Sequence, residues 1–162
     1  MSITRLNNNS ITSVTALPSG VDTGKVLQVQ SRSFNDNSST SSTSPVASVF
    51  EHTITPTSTT SGIYIMIDGG RSSYSGGSCE GTYWLYRSVG GGAFSEVVRM
   101  KQGCVAGGSD GYAKTIAFNY LQTPIGTTSA LIYKVYFRTT ANTWYLNSDN
   151  SRVTVTLMEI AS

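Results

Sequence analysis

A chain of 162 residues can bury one hydrophobic core and is too short for two domains of ordinary size. Only 12% of the residues are charged and the net charge is +2, with lysines and arginines scattered, so no basic surface for nucleic acid or anionic lipid is expected. No stretch approaches the roughly 20 apolar residues of a membrane span, and the opening MSITRLNNNS lacks the apolar run of a signal peptide.

The first 24 residues are predicted to form an arm outside the core. Isolated apolar side chains alternate there with Asn, Ser and Thr, and they show no helical period. Two interpretations fit this composition: a disordered leader, and a peptide that becomes ordered by lying on another subunit. In the second interpretation the arm anchors the protein through Ile3, Leu6, Ile11, Val14 and Leu17.

From Lys25 onward the pattern predicts one all-β domain, residues 25–162. Gly, Ser and Thr are abundant, which suits short strands joined by tight polar turns, and no helix or internal repeat is found. Residues 35–45, NDNSSTSSTSP, are polar and of low complexity, so they are predicted to be a surface loop. Regular short strands favour a sandwich or barrel. Strands are predicted at residues 25–33, 49–55, 62–68, 82–88, 94–100, 112–121, 130–139 and 153–160, with a shorter candidate at 143–146.

One hairpin, residues 79–104, can be aligned residue by residue. It turns at Gly91 and Gly92, because consecutive glycines supply the positive φ angles of a two-residue turn. The cross-strand neighbours are then a salt pair, a cation over an indole ring and a sulfur beside a phenol ring, all of which are favourable. These pairs are Arg87 with Glu96, Trp84 with Arg99 and Tyr83 with Met100.

The same register places Cys79 opposite Cys104 at a non-hydrogen-bonded position. Cα atoms at such positions are about 4.5 Å apart, which is within disulfide reach. We therefore predict a disulfide between Cys79 and Cys104, or two adjacent thiols in a reducing compartment. The alternative is two unrelated buried thiols, since one bulge would shift the register. The spacing is not that of a zinc site.

No residue pattern in the chain points to catalysis. His52 is the only histidine and has no nucleophile motif around it, so it is expected to be a strand residue and not part of a catalytic triad. The nine acidic residues are dispersed, without the close pair that a glycosidase uses. The segments GGSDG (107–111) and GGGAF (90–94) lack the context of a calcium or phosphate loop and are predicted turns. We expect no enzymatic activity, metal or cofactor.

Aromatic residues beside predicted loops are candidates for contact with a receptor. Flat rings can stack on sugars or anchor a partner protein. The alternative is that these rings cover the hydrophobic core at the ends of the sandwich. The candidates are Tyr74, Tyr112, Trp144 and Tyr145.

Several stretches together resemble a known type of domain. They are SITSVTALPSG (10–20), GKVLQV (24–29), FEHTITPTSTTSGIYIMID (50–68), YKVYFR (133–138) and LMEIA (157–161). In this order they resemble the small structural domains found in tail fibres and other appendages of tailed bacteriophages. The resemblance extends over nearly the whole chain. Its motifs are recurring structural sequences and contain no catalytic residues.

Such domains are similar in layout to the jelly roll of tumour necrosis factor and the complement globular heads, a two-sheet sandwich that forms homotrimers. The resemblance implies that residues 62–68 are the third long strand and that the 79–104 hairpin lies in the outer sheet. Residues 153–160 would be central in the inner sheet, between the first and third long strands, with Val153, Val155 and Leu157 facing the interior. The candidates for the trimer interface are Tyr64, Met66, Thr156 and Met158.

The function implied by the resemblance is that of a non-enzymatic virion protein, made in the host cytoplasm and exposed on the particle. A short trimeric tail fibre or knob would be fastened through its arm to other proteins of the tail, baseplate or capsid and would contact a host glycan or protein. Only the short arm precedes the domain, which favours a compact knob over a long fibre. The alternatives are a capsid decoration protein (head fibre or cement) and a small polysaccharide depolymerase.

Overall fold

The computed structural model describes residues 25–76, 79–102 and 114–161. Within these ranges the chain forms strands and no helix, as the sequence predicts. None of these residues belongs to a helix long and apolar enough to cross a membrane. The strands are β1 (Val26–Phe34), β2 (Ser38–Thr40), β3 (Val46–Ile54), β4 (Gly62–Ser75), β5 (Gly81–Val89), β6 (Ser95–Gln102), β7 (Lys114–Gln122), β8 (Leu131–Thr139), β9 (Thr143–Leu146) and β10 (Val153–Ile160).

The strands make two antiparallel sheets that pack as a jelly-roll sandwich. In the six-stranded sheet β10 lies between β1 and β4, while β7 pairs with the other edge of β4. The end of β4 also pairs with β9, and β9 with β2. The four-stranded sheet has the order β3-β8-β5-β6. Two placements from the sequence are confirmed: the last strand is central in its sheet, and the hairpin β5–β6 lies in the opposite sheet.

The core lies between the two sheets and follows the alternation of each strand. Every second residue of β10 points inward, so Val153, Val155 and Leu157 are buried, which confirms the predicted interior face. Three isoleucines of β4 lie beside them, and β8 supplies four residues from the facing sheet. These are Ile63, Ile65 and Ile67, and Leu131, Tyr133, Val135 and Phe137.

The hairpin register is confirmed over half of its length and wrong near the turn. Tyr83 pairs with Met100 and Trp84 with Arg99, as predicted. A register shift after Leu85 then places Tyr86 opposite Glu96 and Arg87 opposite Ser95. The cause is one extra residue in β6, a bulge that simple counting from the turn does not detect.

Two further local predictions differ from the structure. The positive φ angles of the turn belong to Gly90 (57°) and Gly91 (79°), so the turn begins one residue earlier than expected. Part of the polar stretch 35–45 is not loop, because β2 pairs there with β9. Strand addition needs only backbone groups, which explains why a Ser/Thr segment without apolar content can join a sheet edge.

Candidate functional site

The outward side of the six-stranded sheet carries a row of apolar side chains that crosses four strands. Val29 of β1 pairs with Met158 of β10, Met158 with Tyr64 of β4, and Tyr64 with Leu121 of β7. The two ends of the row are open, since Val29 is 52% and Leu121 47% exposed. We call this row the apolar row. It stands on the side of the sheet that does not contribute to the core.

A second, more polar row lies beside the apolar row. It runs from Ser31 through Thr156 and Met66 to Asn119. The Ser31 and Thr156 hydroxyl oxygens are 3.1 Å apart and share a hydrogen bond. The structure therefore brings Tyr64, Met66, Thr156 and Met158 together on one outward face. Their contact with other subunits stays a prediction.

An open pocket extends the apolar row at the start of β4. It is lined by Gly62, Leu121, Thr123, Ile160 and Ala161. A Cβ atom at Gly62 would meet Thr123 and Leu121 at 3.1 and 3.2 Å, so a larger residue there would crowd the pocket. The face thus offers both a projecting ridge and a recess, the two features needed for complementary packing.

The outward side of the four-stranded sheet has a different chemistry. Trp84 of β5 lies beneath two guanidinium groups, from Arg99 on β6 and Arg138 on β8. Their central carbons lie 5.4 and 5.6 Å from the indole ring, within the range of a cation–π contact. The predicted contact between Arg99 and Trp84 is confirmed, and the tryptophan is only 6% exposed. We call these three residues the arginine–tryptophan cluster.

Aromatic rings continue along the same face. Tyr86 and Tyr136 stack with their ring centres 4.1 Å apart, and Phe94 lies 6.0 Å from Tyr136. The ammonium of Lys134 lies 5.7 Å from the Phe94 ring centre and 2.8 Å from a carboxylate oxygen of Glu51. The lysine charge at this end of the sheet is therefore paired.

The prediction of receptor-facing rings is wrong for Trp144 and Tyr74. Trp144 is fully buried and Tyr74 is 8% exposed. The Trp144 Nε1 group donates a 2.7 Å hydrogen bond to the Tyr83 hydroxyl, and Tyr74 stacks on the indole. The cause is that β9 pairs with the end of β4, which turns these rings inward. The alternative from the sequence, rings that close the end of the sandwich, describes both residues.

The other predicted residues divide between described and undescribed parts of the chain. Tyr145 is half-buried in β9, so the structure leaves its predicted contact with a receptor untested. Tyr112, the arm residues 1–24 and Cys104 lie outside the described residues, while Cys79 is buried. The predictions that concern the arm and the disulfide therefore stay predictions.

His52 occupies a half-buried position in β3, in line with its expected place in a strand. It pairs with Tyr133 across the sheet. Burial and then the nearby charge of Arg32 lower the pKa of His52, so the ring is neutral at pH 7. Across residues 25–76, 79–102 and 114–161, no three His, Cys, Asp or Glu side chains are grouped closely enough to hold a metal ion.

One buried carboxylate was missed by the sequence reasoning. Glu159 of β10 is fully buried, and its Oε2 accepts a 2.7 Å hydrogen bond from the side-chain amide of Gln28. Its Oε1 accepts bonds from the backbone N–H and hydroxyl of Thr57 (2.8 and 2.9 Å) and from the Ser58 N–H (3.3 Å). Burial raises the pKa of this carboxyl, but hydrogen bonds from Gln28, Thr57 and Ser61 outweigh burial and hold the pKa below its usual value.

Glu159 was detectable from the strand alternation. It has the same parity as Val153, Val155 and Leu157, the inward residues of β10. A charged residue at an inward position needs buried partners, and this signal is present in the letters VTVTLMEI. The arginine–tryptophan cluster was only half detectable, because Arg138 comes from a strand that the hairpin alignment does not include.

Comparison with known proteins assigns the chain to no family. No protein-family model matches the chain, and no curated protein matches it. Among solved structures, the chain is similar to one titled "Structure of infectious bursal disease virus Gx strain", at 14% sequence identity and a TM-score of 0.44. The match covers 85% of this chain and 38% of the viral chain, so this chain spans well under half the length of that protein.

Proposed function

We propose that this protein is a non-enzymatic structural protein of a bacteriophage virion, a trimeric jelly-roll knob attached through residues 1–24. The phage assignment is supported by the sequence resemblance described above. The jelly-roll layout that the resemblance implies agrees with the strand order, including the central position of β10. The knob contributes to recognition of the host surface, and three copies raise weak single-site contacts to useful avidity.

The observation that carries the proposal is the apolar row on the six-stranded face. It spans four strands, or about 14 Å at the usual strand spacing. Contiguous exposed apolar patches on soluble proteins commonly mark interfaces. A ridge of valine, methionine, tyrosine and leucine beside an open pocket suits packing against another copy. Three copies related by a rotation axis would close such an interface into a ring.

A charge placed in the apolar row tests the trimer. Val29→Asp puts a carboxylate at an exposed end of the row, where burial against another subunit would desolvate it. Size-exclusion chromatography with light scattering should give a trimer for the unmodified protein and a monomer for Val29→Asp. Val49→Asp is the matched control, since Val49 is 42% exposed on β3 of the other sheet, and it should stay trimeric. A stable monomer of the unmodified protein at micromolar concentration would contradict the proposal.

Removal of residues 1–24 tests the attachment. The truncated protein should remain a folded trimer, because β1 begins at Val26 and the core formed by the described residues lies C-terminal to that point. Its incorporation into particles should be lost, measured by quantitative immunoblotting of purified virions from a complemented deletion phage. Undiminished incorporation would refute the anchoring role.

The position on the particle decides between the tail knob and the capsid decoration protein. A tail location, seen by electron microscopy of labelled virions, would support a role in host binding. A capsid location would instead assign particle stabilisation. The depolymerase alternative has its own assay: new reducing ends on host surface glycans would show hydrolysis, which the proposed non-enzymatic knob does not perform.

A further inference from the structure

The arginine–tryptophan cluster holds two cations that the described part of the chain does not neutralise. Neither Arg99 nor Arg138 forms an ion pair with any carboxylate in residues 25–76, 79–102 or 114–161. Arg138 is oriented by a 3.1 Å hydrogen bond from its Nη1 to the Thr43 carbonyl oxygen. Both guanidinium groups also rest on the Trp84 ring, so their orientation is largely fixed before any ligand arrives.

Lys134, on the same face, differs from the two arginines because its charge is paired. Lys134 is bonded to Glu51 at 2.8 Å, so that charge is compensated internally. The two arginines lie on β6 and β8, two strands apart, on either side of Trp84. From the strand spacing and their register their Cα atoms are about 12 Å apart. Both guanidinium carbons lie within 5.6 Å of the same ring centre, so the two charges are at most about 11 Å apart. Neighbouring anionic groups of one extended ligand can span this distance.

Hydroxyl groups stand beside the two cations. Tyr86 and Tyr136 project from the same face, and neither phenol has a hydrogen-bond partner among the described residues. Their rings stack on each other, so one flat surface of each ring is occupied. A ligand here would meet guanidinium N–H groups around Trp84 and phenol hydroxyls farther along the face, where the Glu96 carboxylate lies opposite Tyr86.

This chemistry differs from that of the six-stranded face and fits a different class of ligand. A protein partner gains most of its affinity by burying apolar area and large anchors. On the four-stranded face the largest apolar group, Trp84, is already covered to 94% by its own neighbours. Little of this ring remains to be buried by a partner. A polyhydroxylated anion uses the available groups better, because paired guanidinium N–H donors match carboxylates and phenol hydroxyls match sugar hydroxyls.

We propose that the outward face of the four-stranded sheet binds an acidic polysaccharide through its sugar carboxylates. Arg99 and Arg138 bind the carboxylates, and the Tyr86 and Tyr136 hydroxyls form hydrogen bonds with neighbouring sugar hydroxyls. Trp84 acts as a positioning residue that holds both guanidinium groups. The biological role rests on the proposed function, host-surface recognition by a virion protein, but the binding itself needs only one folded copy.

Binding to polygalacturonate, with surface-immobilised polymer and soluble full-length protein, tests the site. Arg99→Gln and Arg138→Gln should each weaken binding about ten-fold or more, since each removes a charge-assisted hydrogen-bonding group. Arg99→Lys keeps the charge but loses the paired donors and should fall in between. Arg152→Gln is the matched control, because Arg152 is exposed in the loop before β10, and it should bind like the unmodified protein. Thermal unfolding identifies any variant that fails to fold. If one arginine variant does not fold, the other arginine variant is used to test the site.

The comparison polymers decide the ligand class. Carboxyl-reduced polygalacturonate should not bind, and polyglutamate should bind at least ten-fold more weakly than polygalacturonate. Equal or tighter binding to polyglutamate would overturn the glycan assignment in favour of an acidic protein partner. Equal binding by Arg99→Gln, Arg138→Gln and Arg152→Gln, or no binding to polygalacturonate at low salt, would overturn the site. The binding measurements are repeated in the Val29→Asp background. If this monomer still binds polygalacturonate, with lower avidity, and still loses binding when Arg99 or Arg138 is replaced, the site does not depend on the trimer.

Discussion

The buried carboxylate of Glu159 ties together three parts of the chain, and its replacement gives the sharpest test of the packing. Its oxygens accept hydrogen bonds from Gln28 on β1 and from Thr57, Ser58 and Ser61 in the loop after β3. In Glu159→Ala these donors lose the carboxylate, while the Gln28 amide keeps its 2.7 Å bond to the Thr55 carbonyl oxygen. An unsatisfied buried donor costs about 1–3 kcal/mol, and Thr57 is exposed, so water can replace part of what that residue loses. We therefore expect a total loss of about 3–5 kcal/mol.

A loss of this size is readily measured. In domains of this length the unfolding temperature falls by about 2–4 °C for each kcal/mol of lost stability. Glu159→Ala should therefore unfold about 6–20 °C below the unmodified protein, as measured by circular dichroism. Glu51→Gln is the control: it removes a partly exposed carboxylate from a surface salt bridge and should cost less than about 1 kcal/mol. If both variants change the unfolding temperature equally, the hydrogen-bond reasoning fails.

The pH dependence gives a second test of the same group. The folded pKa of Glu159 lies below its usual value, so this carboxylate contributes its full stabilisation above about pH 4.5. The contribution is lost as the pH falls through the folded pKa. Glu159→Gln has no proton to bind, so the stability difference between the two proteins should narrow below pH 4.5. A difference that stays constant from pH 7 to pH 3 would refute this assignment.

Two further predictions concern the end of the sandwich around β5. Gly81→Ala should lower the free energy of unfolding by about 1–3 kcal/mol, because the new Cβ would enter the space of the Trp144 ring. The hydrogen bond from Trp144 to Tyr83 holds that ring in place. An unchanged urea midpoint would show that the ring can move. Protein purified under oxidising conditions and alkylated without reduction should show a Cys79 to Cys104 disulfide by mass spectrometry. Two alkylated thiols would reject the bond.

How far the sequence predicts this fold depends on the range of the interaction. The strands follow from local alternation, and the inward face of β10 follows from the layout that the resemblance implies. The pairs Trp84–Arg99 and Tyr83–Met100 follow from counting along one hairpin. Arg87 was misplaced because a bulge changes the count without any marker in composition. Trp144 was misplaced because its burial depends on β9 pairing with β4, whose paired residues are about 70 positions away in the sequence.

The outward faces of the two sheets also differ in how far the sequence predicted them. The trimer candidates Tyr64 and Met158 were grouped correctly on one face, because the resemblance supplied the strand order that alternation alone lacks. The arginine–tryptophan cluster needs β6, β5 and β8 side by side, and β8 enters the sheet from a distant part of the chain. Arg138 could therefore be joined to the cluster only once the order of that sheet was known.

The central place of β10 between β1 and β4 also has a consequence for biosynthesis. Residues 76–152 separate the end of β4 from the start of β10, and at about 5–20 residues per second they take about 4–15 s to synthesise. During that interval β4 has an open backbone edge on the side that β10 will occupy. Nascent chains on the same message can pair through such edges, so slower initiation or chaperone binding should raise the yield of correctly folded protein.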